Sequence, residues 1–282
     1  MVSIPEPWQG KAKRLILFFL IAFVAIETVV LVTFPTRNLM IAVLDVGQGD
    51  AIALQTAEGH RILIDGGPDD SVLPELGQLF PFWVQELDLL VITHWDSDHI
   101  TGLLDILERY RVRHVLVGTL ECETAVCEAV LSAIEEEDAE ILLARQEASI
   151  NLGKTSFSVL WPPHNCSLGR NDCSVVLLLN YGDFEAVFTG DIEEAGQKNF
   201  LGLVRESEVF KVPHHGADCL WEPFLQRIKP MLSVVSVGEN SVGHPKPETL
   251  NKLHSVGTKI LRTDQVGTVK VISDGGRWGI RN

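Results

Sequence analysis

Positive charge is scarce in this chain. Only 23 of its 282 residues are Lys or Arg, against 38 Asp and Glu, which gives a formal net charge of −15 at pH 7. A protein that coats nucleic acid through a broad basic surface needs clustered Lys and Arg, so the composition argues against that class. The acidity does not exclude a local phosphate site whose positive charge comes from metal ions.

The chain also lacks internal repeats, low-complexity segments and a compositional break within its larger part. Its hydrophobic fraction of 46% is ample for a packed core. We therefore predict a single domain over residues 38–282. It follows a short N-terminal segment, residues 1–14, and an apolar stretch, residues 15–34.

None of the five cysteines forms a C-x-x-C zinc or redox signature. Four of them form two close pairs along the chain, Cys122 with Cys127 and Cys166 with Cys173, and Cys219 is left over. Two short-range disulfides are expected if the domain faces an oxidising compartment, and free buried thiols if it faces a reducing one.

The apolar stretch is long enough to span a bilayer as a helix, about 30 Å at 1.5 Å per residue. No small-x-small cleavage site follows it, which favours a signal anchor over the alternative of a cleaved signal peptide. Lys11, Lys13 and Arg14 precede the stretch and only Arg37 follows closely. This bias predicts a cytoplasmic N-terminus and a single-pass membrane protein with an extracytoplasmic domain.

Short apolar strands alternate with turns and then with helices from residue 38 onward. In the first half we expect strands at 40–46, 51–56, 61–65 and 87–93, and helices at 100–110 and 122–137. In the second half we expect strands near 156–160, 174–180, 184–189, 208–212, 232–237, 258–262 and 268–273, and helices near 193–201 and 221–228. The pattern predicts an α/β fold of two sheets packed face to face with helices outside.

The strongest chemical signal is the segment His94-Trp95-Asp96-Ser97-Asp98-His99, directly after the apolar strand at 87–93. Four potential metal ligands within six residues, at a strand-to-helix turn, would converge on one point. Capping of a helix N-terminus explains either aspartate alone but not the flanking histidines. We therefore interpret the cluster as a metal site.

Residues 39–275 resemble the metallo-β-lactamase superfamily, and within it the C-terminal hydrolase-like domain of the ComEC competence proteins. Besides the His94–His99 segment, the resemblance rests on motifs in the family's order: Asp45-Val46-Gly47-Gln48-Gly49-Asp50, Ile64-Asp65-Gly66-Gly67, Asn171-Asp172-Cys173-Ser174, Phe188-Thr189-Gly190-Asp191, Lys211-Val212-Pro213-His214-His215-Gly216, Ser236-Val237-Gly238-Glu239-Asn240, Gly243-His244-Pro245 and Arg262-Thr263-Asp264-Gln265. It implies the αββα metallo-β-lactamase sandwich and a site for two divalent metal ions.

The resemblance assigns metal ligands residue by residue. His94 and Asp96 would hold one ion, while Asp98 and His99 would hold the second, which His214 completes. Asp191 would bridge both ions, since the two oxygens of a carboxylate can reach two cations.

Oxygen ligands replace imidazole at two places in this pattern. Asp96 stands where many superfamily members have a histidine, and Asn171 or Ser174 stands where others place a third histidine. Harder ligands shift the preference from zinc toward manganese, so manganese is expected, with zinc as the alternative.

The remaining site residues receive roles around the metals. Asp98, His215 and His244 are the predicted catalytic residues, with His215 assigned to substrate or proton transfer and His244 to a phosphoryl oxygen. Gln48, Asp50, Asn171 and Ser174 are predicted to line the substrate site. Asp65 is predicted to orient the histidines without touching a metal.

One departure from the family affects the substrate. ComEC-like domains usually follow the double histidine with serines, whereas this chain has Gly216-Ala217-Asp218-Cys219. Hydroxyls that could contact phosphate are therefore absent, and a negative charge is added.

The expected function is hydrolysis of a phosphodiester by a metal-activated hydroxide, with DNA as the substrate that the resemblance implies, in DNA uptake. The partners would be the membrane and a DNA-uptake channel protein, because one candidate span cannot conduct DNA. Two alternatives stay open: a hydrolase of a small extracytoplasmic phosphoester or other ester, and a catalytically silent membrane-bound binding module.

Overall fold

The structure, a computed structural model, describes residue 11, residues 13–24 and residues 38–281. Residues 13–24 form a helix, α1, with mostly exposed side chains. Among the described residues, no helix is long and apolar enough to cross a membrane. Residues 25–34 of the predicted span lie outside the described residues. The transmembrane helix and the boundaries drawn around it stay predictions.

Seventeen strands are described between residues 38 and 281. They are β1 (Leu39–Val43), β2 (Ile52–Gln55), β3 (Arg61–Ile64), β4 (Glu86–Leu87), β5 (Leu89–Ile92), β6 (Arg111–Val112), β7 (His114–Val117), β8 (Glu140–Leu143), β9 (Ser149–Leu152), β10 (Thr155–Trp161), β11 (Val176–Tyr181), β12 (Phe184–Phe188), β13 (Val209–Lys211), β14 (Leu232–Val235), β15 (Lys259–Arg262), β16 (Val269–Ser273) and β17 (Trp278–Arg281). Eight form a mixed sheet in the order β17-β16-β1-β2-β3-β5-β7-β8, and seven form a second in the order β15-β14-β13-β12-β11-β10-β9. β4 and β6 pair separately.

Helices connect and cover these strands. They are α2 (Val72–Leu79), α3 (Ser97–Ile100), α4 (Leu103–Arg109), α5 (Ala125–Glu136), α6 (Glu194–Asn199), α7 (Glu222–Ile228), α8 (Pro247–Ser255) and α9 (Thr263–Val266), with short 3-10 helices at Asn171–Cys173, Leu201–Leu203 and Pro213–Gly216.

The two-residue period of the strands explains the layers. In β5, Leu89 and Val91 pack into the core that both sheets share, whereas Leu90 and Ile92 pack into the core under α2, α4 and α5. Strands of the second sheet alternate in the same way between the shared core and the core under α7. Burial on both faces produces the continuous apolar runs seen in the sequence. The predicted αββα sandwich of two mixed sheets with outer helices is confirmed.

The structure differs from the predicted elements in the first half. The helix predicted at 100–110 is divided into α3 and α4 at Gly102, where the backbone passes close to other loops. β7 and β8 were not predicted.

Candidate metal centre

The ligand-bearing segments meet where parallel strands end. β5 is parallel to its neighbours β3 and β7, and β13 to its neighbours β12 and β14. The carboxyl ends of parallel strands lie at one edge of a sheet, which is where α/β proteins place ligands. The segments after β5, β12 and β13 carry the His94–His99 cluster, Asp191 and the pair His214-His215.

Asp65 fixes the ring of His99. It is fully buried directly after β3, and its two oxygens accept hydrogen bonds from the backbone N–H and the hydroxyl of Thr93, at 2.8 and 2.6 Å. Its Oδ2 also lies 2.8 Å from His99 Nδ1. His99 Nε2 therefore faces Asp191, 3.3 Å from Oδ1. These are the contacts that a residue orienting a metal-binding histidine requires.

The described residues include four overlapping groups of side chains that could hold a metal ion. Within each group, the ligand atoms lie within 4.8 Å of one another. The groups are His94–His99–Asp191, Asp98–His99–His215, Asp50–Asp191–His215 and Asp50–Asp65–His99. Asp191 belongs to a group on the His94 side and to another on the His215 side. This is the position that a bridging carboxylate needs.

Several of these ligand atoms are buried without a hydrogen-bond partner. They are Nε2 of His94, His99 and His215, and Oδ1 of Asp50 and Asp191. Because nearly all buried polar atoms in proteins are hydrogen-bonded, orphaned atoms that converge on one point indicate a bound species. Imidazole and carboxylate donors together fit divalent cations.

The electrostatics of the cluster fit the same interpretation. Burial disfavours a charged imidazole, but the Asp191 and Asp65 carboxylates outweigh it and hold the pKa of His99 well above its usual range. Asp191 and Asp50 do the same to the pKa of His215. Although burial opposes the shift, His215 and His99 hold the pKa of Asp191 well below its usual range. The acids thus require positive charge beside them, from protons or from cations.

The structure places His215 deeper in the cluster than His214, whose Nε2 lies 3.8 Å from Asp191 Oδ2. His215 is 1% exposed and its Nε2 lies 3.2 Å from Asp98 Oδ2 and 3.4 Å from Asp191 Oδ2. His214 belongs to none of the described ligand groups, and its Nδ1 lies 3.2 Å from Glu193 Oε1. Both residues have left-handed backbone angles, φ 49° and 52°, and this turn directs His215 rather than His214 into the cluster.

Asp96 lies at the edge of the cluster, outside the four groups. Its Oδ2 is 3.6 Å from His94 Nε2, and its Oδ1 forms an ion pair with Arg170 at 3.0 Å. This distance allows one ion to contact both side chains, so the pairing of His94 with Asp96 stays a prediction. Arg170 carried no recognisable signal in the sequence.

The sequence predicts that Asp50 lines the substrate site, but the structure buries it among charged residues. It is 1% exposed, forms an ion pair with Lys211, and lies 3.4 Å from His215 Nδ1. Lys211 is also 1% exposed, and its Nζ donates to Gly190 O at 3.2 Å. The role of Lys211 was missed, although a lysine at the end of an apolar strand is rare enough to have signalled it.

Ser174 and Asn171 also differ from their predicted substrate contacts. Ser174 is fully buried and its hydroxyl accepts the backbone N–H of Asp191 at 3.3 Å, so it positions Asp191. Asn171 donates to Glu193 Oε1 at 3.3 Å. The structure thus gives both residues partners within the protein.

An open cleft of about 450 Å³ leads to the cluster from the side of Asp98 and His215. Gln48, His214 and His244 line it, together with Asn240. His244 Nδ1 is buried without a partner, and burial lowers the pKa of its ring, which favours neutral imidazole. The structure therefore places Gln48 and His244 beside the route by which a substrate would reach the ligands.

Comparison with known proteins connects these features to a family. Residues 60–254 match the family model described as Beta-lactamase superfamily domain. The chain is 29% identical over 248 residues to ComE operon protein 3 of Bacillus subtilis, covering 80% of this chain and 32% of that protein. It is 27% identical over 245 residues to competence protein ComA of Neisseria gonorrhoeae, covering 84% and 32%. The chain thus spans about a third of the length of these relatives.

Solved structures share the fold. The metallo-beta-lactamase fold protein YhfI from Bacillus subtilis superposes with a TM-score of 0.55 at 11% identity, covering 81% of this chain and 98% of that chain. Igni18, a metallo hydrolase from Ignicoccus hospitalis, superposes with a TM-score of 0.55 at 16% identity, covering 82% and 98%. At these identities the likeness shows the fold alone.

Proposed function

Since the chain belongs to the metallo-β-lactamase superfamily and is related to the ComEC competence proteins, we propose that it is a phosphodiester hydrolase that uses two divalent metal ions. The observation that carries this proposal is the convergence of orphaned ligand atoms from His94, His99, Asp191 and His215.

The proposed ligand sets combine the described groups with the pairing of His94 and Asp96 that the resemblance implies. His94 and Asp96 would hold one ion, Asp98, His99 and His215 would hold the other, and Asp191 belongs to groups on both sides. Bound there, the ions would supply hydroxide at neutral pH and stabilise negative charge on a phosphoryl oxygen. Asp96, which stands where many superfamily members have a histidine, favours manganese over zinc because oxygen ligands are hard.

The protein's own groups act from the open cleft. His244, as neutral imidazole, donates a hydrogen bond to a phosphoryl oxygen and so holds the phosphate against the ligand cluster. His214, 25% exposed beside Glu193, is the group placed to move a proton between the cleft and solvent. Asp98, with its side chain 34% exposed, links the cleft to His215.

DNA is the proposed substrate, because two relatives carry the names of a com operon protein and a competence protein. The alternative of a small phosphoester or other ester is supported by the net charge of −15 and by Glu239 in the cleft, which repel a polyanion. A silent binding module remains the third outcome of the test below.

We further propose a single-pass membrane location with the domain outside the cytoplasm, where a DNA-uptake channel protein would be its partner. Both close cysteine pairs are disulfide-bonded, Cys122 with Cys127 and Cys166 with Cys173, and this supports an oxidising compartment. Cysteine alkylation in intact cells tests the location. Because Cys219 is a free thiol, only alkylation of Cys122, Cys127, Cys166 or Cys173 before reduction would contradict it.

The function is tested on the full chain purified in detergent. We expect about two metal ions per chain by elemental analysis and manganese-dependent cleavage of labelled single-stranded DNA. Asp191→Ala should abolish cleavage, whereas Asp183→Asn, in an exposed turn, is the matched control and should not. Metal without DNA cleavage, but with turnover of bis(4-nitrophenyl) phosphate, would select the small-ester hydrolase. Absence of bound metal would support the third alternative, a catalytically silent binding module.

A further inference from the structure

One side chain, that of Asn240, joins two segments on which the family resemblance rests, residues 236–240 and residues 243–245. The first segment follows β14 directly, and the proposed hydrolysis gives its side chains no part in the chemistry. The second contains His244. Both segments contribute residues to the open cleft, so the contacts between them bear on how His244 meets a substrate.

The amide of Asn240 holds both backbone polar groups of His244. Its Oδ1 accepts the backbone N–H of His244 at 2.9 Å, and its Nδ2 donates to the carbonyl oxygen of His244 at 3.0 Å. Nδ2 also donates to Gly238 O at 2.9 Å. An amide offers one acceptor oxygen and two donor protons, so Asn240 closes the turn of residues 240–244 in a way that a carboxylate or a hydroxyl cannot.

The base of this turn is fixed to the rest of the domain. The Thr263 hydroxyl accepts the backbone N–H of Val237 and donates to Val237 O, both at 2.9 Å. Gly238 packs so closely against the loop after β1 that a Cβ there would lie 2.4 Å from the carbonyl carbon of Gly47. Its N–H donates to Gln48 Oε1 at 3.4 Å. Asn240 therefore ties His244 to a part of the backbone that cannot shift by itself.

The His244 ring retains an unused hydrogen-bonding atom. Its Nδ1 is buried without a partner, although the residue lines the open cleft. The ring stands nearly perpendicular to that of His214, at 83° with 5.5 Å between the ring centroids. Since buried polar atoms are nearly always hydrogen-bonded, an atom brought by a ligand is the expected partner of Nδ1. The backbone of His244 decides where this ring points, because a side chain has only a few rotamers.

We propose that Asn240 is a positioning residue: by holding the backbone of His244, it keeps the imidazole where the phosphate of the substrate lies. The inference rests on the proposed phosphodiester hydrolysis and adds to it a residue that acts without touching the substrate. Residues 241–243 are exposed. Without the amide, this part of the turn would be free to move, and each binding event would have to order His244 again.

A double-mutant cycle on the manganese-loaded full chain tests this role with labelled single-stranded DNA. Asn240→Ala should lower kcat/KM about tenfold, because a misplaced group loses its contacts in the transition state. In a His244→Ala background the same change should cost less than about twofold, since the residue through which it acts is gone. Asn199→Ala removes an exposed side-chain hydrogen bond to Ala195 O and is the matched control, which should have no effect in either background.

A tenfold loss in both backgrounds would show that Asn240 only maintains the fold. No loss in the wild-type background would overturn the proposal outright. Elemental analysis should find the same metal content in the wild type and in Asn240→Ala, and loss of metal would also count against a role through His244. Asn240→Ser, which keeps a small polar side chain but lacks the second donor, replaces Asn240→Ala if the alanine variant does not fold.

Binding of inorganic phosphate separates this inference from the proposed function. Zinc-loaded protein labelled with 15N-histidine suits this measurement, because zinc is diamagnetic. Phosphate should shift the ring signals of His244, identified by their absence from His244→Ala, and Asn240→Ala should weaken the apparent affinity about tenfold. If the wild type hydrolyses neither DNA nor bis(4-nitrophenyl) phosphate, the proposed function fails and this titration alone decides. A weakened affinity supports the positioning role, whereas equal affinity or no shift of the His244 signals removes it.

Discussion

The histidine pair at the end of β13 shows how one backbone turn assigns chemistry to neighbouring residues. His214 and His215 are equivalent in type and differ by one position, so no pattern in the sequence decides which ring enters the cluster. Two consecutive left-handed residues make that choice. For residues other than glycine, this conformation is held only where the surrounding structure determines it, which is common at functional sites.

His215→Ala and His214→Ala should separate the two roles. We expect His215→Ala to lower the affinity for the second metal by at least about tenfold, because His215 Nε2 faces both Asp98 and Asp191. His214→Ala should retain the metal but lose activity. Chelator competition and elemental analysis measure the affinity. Equal metal loss in the two variants would contradict the assignment.

Lys211 makes a second prediction for a single residue. Lys211→Met would leave the Asp50 carboxylate buried without its ion-pair partner and should destabilise the protein by about 3–5 kcal/mol. Lys229→Met, which removes an exposed pair with Glu206, is the matched control and should have no measurable effect. Urea denaturation of the metal-free protein measures the free energy of unfolding of both variants. Similar losses of stability would show that the buried Asp50–Lys211 pair contributes no more than the exposed pair.

For the secondary-structure elements, the sequence predicted the site-bearing strands better than the helices around them. β5 is a continuous apolar run, β12 is apolar apart from Glu185, and both are followed by ligands, so their patterns can be recognised without tertiary information. The helix predicted at 100–110 was wrong in its continuity, because the backbone N–H of Gly102 donates to Gly67 O at 3.1 Å and not to the carbonyl of the preceding helical turn. A Cβ there would lie 2.2 Å from Gly66 O and 2.3 Å from Asp69 O.

Two glycine substitutions test this explanation. Gly102→Ala should destabilise the protein by about 1–3 kcal/mol, because backbone oxygens cannot yield as a flexible side chain would. Gly77→Ala, within α2 and with nothing within 4 Å of its new Cβ, should stabilise the protein by about 0.5–1 kcal/mol. Thermal unfolding compares them, and effects of the same sign would contradict the packing argument.

For the molecule as a whole, the motifs predicted which segments meet but not how their charges balance. The cluster gathers Asp50, Asp65, Asp98 and Asp191 from separate loops, and the sequence could not show that Lys211 neutralises part of this charge. Side-chain direction, as at Ser174, is set by packing between the sheets and has no local signal. The folded chain therefore concentrates its negative charge where cations would balance it.

This balance predicts that a rise in pH lowers the stability of the metal-free protein and increases the stabilisation that metal adds. Folding raises the pKa of His99 and His215, so their contribution to stability is full below about pH 6.5 and is lost as the pH rises through their folded pKa values. The lowered pKa of Asp191 makes stability depend on pH only below about pH 3.8. The lowered pKa of His244 does so only below about pH 6.5. Between pH 7 and 9 the histidines therefore dominate these contributions.

In that range the melting temperature of the metal-free protein should fall as the pH rises. Manganese must compete with protons for the same imidazoles, so the stabilisation that it adds should grow over the same range. Calorimetric scans at pH 7, 8 and 9, with a chelator and with saturating manganese, measure both trends. If added manganese shifts the melting temperature equally at all three pH values, protons and metal do not share the ligands, and the assignment of His99 and His215 as metal ligands is wrong.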